Sequence, residues 1–75
     1  MKITYHKEDT YVVVTNAGKK AEVPIHVNAD EAITILKPLN LTMHELCKVG
    51  AAVGQISRMQ KGEDQNPKPR YYEEV

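Results

Sequence analysis

The hydrophobic period of this chain changes at Asn28, and that change limits the folds open to it. Before Asn28, apolar residues recur at every second position. In "AEVPIHV" (21–27), Ala21, Val23, Ile25 and Val27 face one way and Glu22, Pro24 and His26 the other, which is the period of a half-buried strand. "KITYH" (2–6) alternates in the same way, with Ile3 and Tyr5 on one side. "TYVVVT" (10–15) has the β-branched and aromatic composition of a well-covered strand. "NAGK" (16–19) is turn chemistry, because Asn and Gly both tolerate positive φ. Pro24 has no amide hydrogen to give to a ladder, so its strand belongs at a sheet edge. Short loops favour antiparallel neighbours. The first part of the chain therefore reads as a three-stranded antiparallel meander, wet on one face.

After Asn28 the period is helical. "NADE" (28–31) offers Asn28 as an N-cap and Glu31 three residues later to close the box. Ala29, Ala32, Ile33 and Leu36 make an apolar stripe, and Pro38 ends this helix near Lys37. "TMHE" (42–45) is a second capping box, Thr42 with Glu45. The helical pattern behind it runs to about Lys61, with Gly62 as its stop. Arg58 and Lys61 in the last turn suit the helix dipole. Two helices then cover the Val/Ile face of the sheet, giving an α+β domain in the order β-β-β-α-α. Residues 1–62 form this single domain. Residues 63–75 form a polar, Pro-containing tail, expected to be disordered or extended.

Size and charge narrow the function. Seventy-five residues bury a small core, and folds near this size gain from a staple or a partner. The one cysteine, Cys47, excludes a disulfide within the chain and suits a reducing compartment. The apolar run Tyr11 to Val14 is too short for a signal peptide. No segment approaches the roughly 20 apolar residues of a membrane span. The expectation is a cytoplasmic protein with no membrane partner. Ten basic and ten acidic side chains balance, five of each in residues 1–37 and five of each in 38–75. Bulk attraction to nucleic acid or anionic lipid is therefore weak. Four tyrosines with no Trp or Phe make a poor base-stacking platform.

The second helical pattern contains "CKVGAAVGQISRM" (47–59), with Gly50 and Gly54 four apart. A glycine in a helix interior costs about 1 kcal/mol relative to alanine. Leu46, Val49, Val53 and Ile56 form a heptad-type seam. Beside them runs a line of small residues, Cys47, Gly50, Gly54 and Ser57. Small residues four apart let another backbone approach closely. The resulting groove receives either the sheet or first helix of the same chain, or a second copy or a ligand. Size favours self-association. In the tail, Arg70, Tyr71 and Tyr72 are of types over-represented at binding hot spots. They suggest a segment that docks on a neighbouring subunit or a partner protein.

"LTMHELCKVGAAVGQISRMQKGEDQNP" also resembles the helix-turn-helix of Cro and phage-repressor-type DNA-binding proteins. The similar parts are Leu41-Thr42 and Glu45-Leu46 opening a helix, Gly50 at the turn, Ile56-Ser57-Arg58 in a recognition helix, and Gly62 then Asn66-Pro67 behind it. "ILKPLNLT" (35–42) resembles the end of such a domain's first helix. The resemblance implies that Gly50 breaks the helix in two and that Ala52 to Arg58 enter the major groove. It makes Gln55, Ser57 and Arg58 the candidate base contacts, since Gln can read adenine and Arg guanine.

Other chemistry finds little footing. His44 and Cys47 lie three apart and share a helix face, and His6 or His26 could add a ligand, but no paired CxxC is present. Cys47 as a nucleophile lacks an acid and an oxyanion loop. "NAGKK" lacks the spacing of a phosphate loop. No catalytic residue, metal or cofactor is expected. The chain reads as a small non-enzymatic binding protein and a homo-oligomer. It is of the accessory or inhibitor type that phages and mobile elements carry, and it binds a protein or a small-molecule ligand. The alternative is a helix-turn-helix regulator that binds DNA.

Overall fold

A computed structural model describes residues 1–6, 10–62 and 71–75. Strands β1 (Lys2–Tyr5), β2 (Tyr11–Asn16) and β3 (Lys19–Pro24) form an antiparallel meander. β3 lies at one edge, as the missing amide hydrogen of Pro24 requires. The alternation of the sequence appears as burial. Ile3, Tyr5, Val12, Val14, Val23 and Ile25 enter one core, while Glu22, Pro24 and His26 stay exposed. The fold is α+β, and helices α1 (Ala29–Leu36) and α2 (Met43–Gln60) follow the meander.

The β2–β3 turn falls at residues 16–19 as expected, but the positive φ is on Ala17 and Gly18 rather than on Asn16. Asn16 is the last residue of β2 and pairs with Lys19, so Ala17 (φ 52°) and Gly18 (φ 79°) make the turn. Positive φ at both central residues is the type I′ hairpin. An L-residue such as Ala17 adopts that conformation at a cost of roughly 1–2 kcal/mol. Asn16 has another role. Its Nδ2 donates to the Leu39 carbonyl at 2.9 Å and ties the hairpin to the turn between the helices.

Both helices start where the sequence places them, although Glu31 Oε1 accepts from the Asn28 side-chain Nδ2 at 3.1 Å rather than closing a box on the Asn28 backbone N–H. The Asn28 side-chain oxygen accepts the Glu31 N–H at 2.9 Å. A 3-10 turn at Lys37–Leu39 carries Pro38, and Asn40 then turns left-handed (φ 53°). The capping box of α2 is complete: the Glu45 N–H donates to Thr42 Oγ1 at 3.2 Å, and the Thr42 N–H donates to Glu45 Oε1 at 3.0 Å. α2 then runs unbroken for 18 residues, about 27 Å at 1.5 Å per residue. The turn that the helix-turn-helix resemblance implies at Gly50 is absent, because Gly50 sits inside α2. Gly62 (φ 75°) caps the end, its N–H reaching the Met59 carbonyl at 3.0 Å.

A fourth strand was not foreseen. Glu73–Glu74 (β4) pairs in parallel with β1, matching Thr4 to Glu73 and Tyr5 to Glu74. The sheet is therefore mixed, in the order β3-β2-β1-β4. Tyr72, just before β4, is buried in the core rather than lying in a free tail. Residues 63–70 of the expected tail lie outside the described residues.

Candidate functional site: an apolar groove between the helices

One flank of α2 builds the core. Val49, Ala52 and Ile56 are buried in one cluster with Val12, Val14 and Val23 of the sheet. The neighbouring flank borders a groove of about 580 Å³ between the two helices. Val23, Ile25 and Val27 come to it from β3 and the residues just after it. Ala29, Ala32, Ile33 and Leu36 come from α1. Met43, Leu46, Cys47, Val49, Gly50, Val53, Gly54 and Ser57 come from α2. Among the described residues no charged side chain lines this groove, and its polar side chains are the Cys47 thiol and the Ser57 hydroxyl.

The glycines open onto this space. A Cβ built on Gly50 would meet nothing within 4 Å. One on Gly54 would meet only the far end of the Arg58 side chain, at 3.5 Å, an ordinary contact. Neither the sheet nor α1 packs against the glycine pair. Among the described residues, the close approach that would offset two helix glycines is therefore not made. Ile33 and Met43 stand at the groove with 53% and 81% of their surface exposed, large apolar side chains at the lip of an apolar hollow.

The residues singled out in the sequence divide. Leu46, Cys47, Val49, Gly50, Val53, Gly54 and Ser57 do line the groove. Ile56 does not, because it is wholly buried in the core. The seam of Leu46, Val49, Val53 and Ile56 is therefore not an outward ridge: its Val49–Ile56 side belongs to the fold. Tyr72 is also internal, with its ring edge-on to Tyr5 (centroids 6.1 Å apart, 89° between planes). Tyr71 is exposed, apart from the groove, and Arg70 lies outside the described residues. Of the residues named for DNA contact, Arg58 is exposed and Ser57 half-buried. Gln55 is only 4% exposed, and its Oε1 accepts the Tyr71 N–H at 3.1 Å.

The α1 side of the groove escaped the sequence reading. The stripe of Ala29, Ala32, Ile33 and Leu36, expected to cover the sheet, also borders the groove. Leu36 does enter the core, whereas Ile33 faces the groove.

Among the described residues that line the groove, the one ionisable side chain is the exposed Cys47 thiol. His6, His26 and His44 are all exposed. Among the described residues, no three His, Cys, Asp or Glu side chains stand together as a metal site. Among them too, no helix is long and apolar enough to cross a membrane. At the start of α2, the Thr42 N–H bond to the Glu45 carboxylate holds that carboxyl below its ordinary value. Met43 and Leu46, in the first turn of the same helix, line the groove. Comparison with protein-family models, with curated proteins and with solved structures gave no match to this chain.

Proposed function

We propose that this chain is a non-enzymatic binding protein that works as a homo-oligomer, with the groove between α1 and α2 as the assembled face. The observation that carries this reading is the open space over Gly50 and Gly54. Two glycines in one helix cost roughly 2 kcal/mol of propensity relative to alanine, and among the described residues no close packing offsets it. The same patch carries exposed Ile33 and Met43 beside bare backbone. A two-fold interface needs such self-complementarity, with the projections and hollows of one patch meeting their counterparts on an identical patch. The neutral lining favours a partner face that is also neutral.

The groove volume also falls within the roughly 300–1,000 Å³ range of small-molecule sites, which supports an apolar ligand held at the same face. Native mass spectrometry of gently purified protein separates the two. The proposal expects a single oligomeric mass that drops to monomer in Gly50→Leu and Gly54→Leu, with the sheet intact by circular dichroism. Additional small mass on the wild-type chain would identify a ligand. A bare monomer in the wild type, unchanged in both leucine variants, would sink the proposal.

A further inference from the structure

The walls of the groove are neutral, but one end of it is not. Arg58 follows Gly54 by one turn of α2, and side chains on a helix lean back over the preceding turn. Gly54 has no side chain to hold it off. The Arg58 Nη1 lies 3.5 Å from the point where a Gly54 Cβ would stand, so the guanidinium sits at the Gly54 end of the groove. Ser57 lines the same end, and its half-buried hydroxyl is a second donor there. Along α2 the lining runs from Met43 to Ser57, about 21 Å at 1.5 Å per residue. The site is long, apolar along its length and cationic at one end.

That charge is unanswered. Among the described residues no carboxylate pairs with Arg58. A second copy that brings the same neutral patch supplies no acid either, since the lining carries none. A planar guanidinium at the end of an apolar channel suits a carboxylate, which it takes as a bidentate pair. The bare backbone of Gly50 and Gly54 leaves room for an unbranched chain to lie close to the helix.

We propose, resting on the groove as the binding face, that it holds a long-chain carboxylate, with the alkyl chain along α2 over Gly50 and Gly54 and the carboxylate taken by Arg58 and Ser57. Titration of the full-length chain with dodecanoate, below its micelle concentration, tests this against dodecanol and dodecyltrimethylammonium. Amide shifts in NMR report both affinity and place. Dodecanoate should bind about fivefold or more tighter than dodecanol, the upper end of what an exposed ion pair contributes, and the ammonium should bind most weakly. The shifts should centre on residues 29–36 and 43–57. Arg58→Gln should bring dodecanoate down to the affinity of dodecanol and leave dodecanol unchanged, whereas Arg58→Lys should keep part of the preference. Equal affinity for the three probes, equal losses of dodecanoate and dodecanol in Arg58→Gln, or shifts that centre outside the groove would each overturn the proposal. Assembly is read separately, from the native mass of the ligand-free chain. A monomer that shows the Arg58-dependent preference keeps the ligand and sinks assembly, and an oligomer without that preference does the reverse.

Discussion

The two flanks of α2 differ in what the fold asks of them. On the core flank, Val49, Ala52 and Ile56 pack under the helix and leave almost no surface exposed. On the groove flank, Cys47, Gly50, Gly54 and Ser57 are small, and the space over the glycines is open. Folding alone accounts for the first flank, because burying apolar surface is its main driving force. It does not account for the second, where glycine lowers helix stability and no close packing among the described residues compensates. A helix under selection for monomer stability alone would carry alanine at both positions. The contrast separates residues that make the fold from residues that wait for a partner.

The largest expected effect is on the core flank. Ile56→Ala should lower unfolding free energy by about 2–5 kcal/mol, the usual cost of emptying a packed site, read from the urea midpoint at unchanged m-value. Ile33→Ala, on the groove side, should stay within about 0.5 kcal/mol for the monomer, like other exposed substitutions. Equal losses at the two positions would mean that the groove closes in solution and the contrast fails.

The next effect runs the other way. Gly50→Ala should stabilise the monomer by about 1 kcal/mol, because the methyl meets nothing and helix propensity rises. Gly54→Ala should gain a similar amount, with the Arg58 guanidinium yielding if it must. Both should weaken assembly in the same samples, measured by dilution of the oligomer in analytical ultracentrifugation. Opposite signs for monomer stability and assembly would sharpen the comparison. Destabilised monomers would show that the chain packs against its own glycines.

Much of this was legible from local chemistry. The switch of period at Asn28, the edge position of the Pro24 strand, the Thr42–Glu45 box and the Gly62 stop each depend on a few adjacent residues. What escaped depends on contacts far apart in sequence. The tail reads as polar, and nothing in "YYEEV" says that β1 offers it an edge or that Tyr5 offers Tyr72 a partner 67 positions away. Asn16 is a residue that tolerates the turn, yet the Leu39 carbonyl holds it in the strand and leaves Ala17 in the left-handed position. The groove was half legible: spacing identified the small line on α2, but only the placement of α1 shows that its stripe faces the hollow as well as the core.

The smallest expected effect concerns the residue that sets where α2 begins. The Thr42 N–H bonds the Glu45 carboxylate, so the folded-state pKa of Glu45 lies below its ordinary value of 4.5. A carboxyl with a depressed folded pKa contributes stability that is fully present above the unfolded pKa. That contribution fades as pH falls through 4.5 toward the lower folded value. Glu45→Gln keeps an oxygen that can accept the Thr42 N–H but removes the titration. The variant's stability should therefore vary less with pH than the wild type's below the ordinary carboxylate value, and the two profiles should run parallel above it. The groove lip should feel the acid first, because Met43 and Leu46 lie in the first turn that the box holds, whereas Ala52 and Ile56 lie further along the helix. Amide exchange followed by NMR across this range should show protection falling at residues 43–47 before it falls at 52–56. Simultaneous loss along the whole helix would mean that the two flanks of α2 open as one unit.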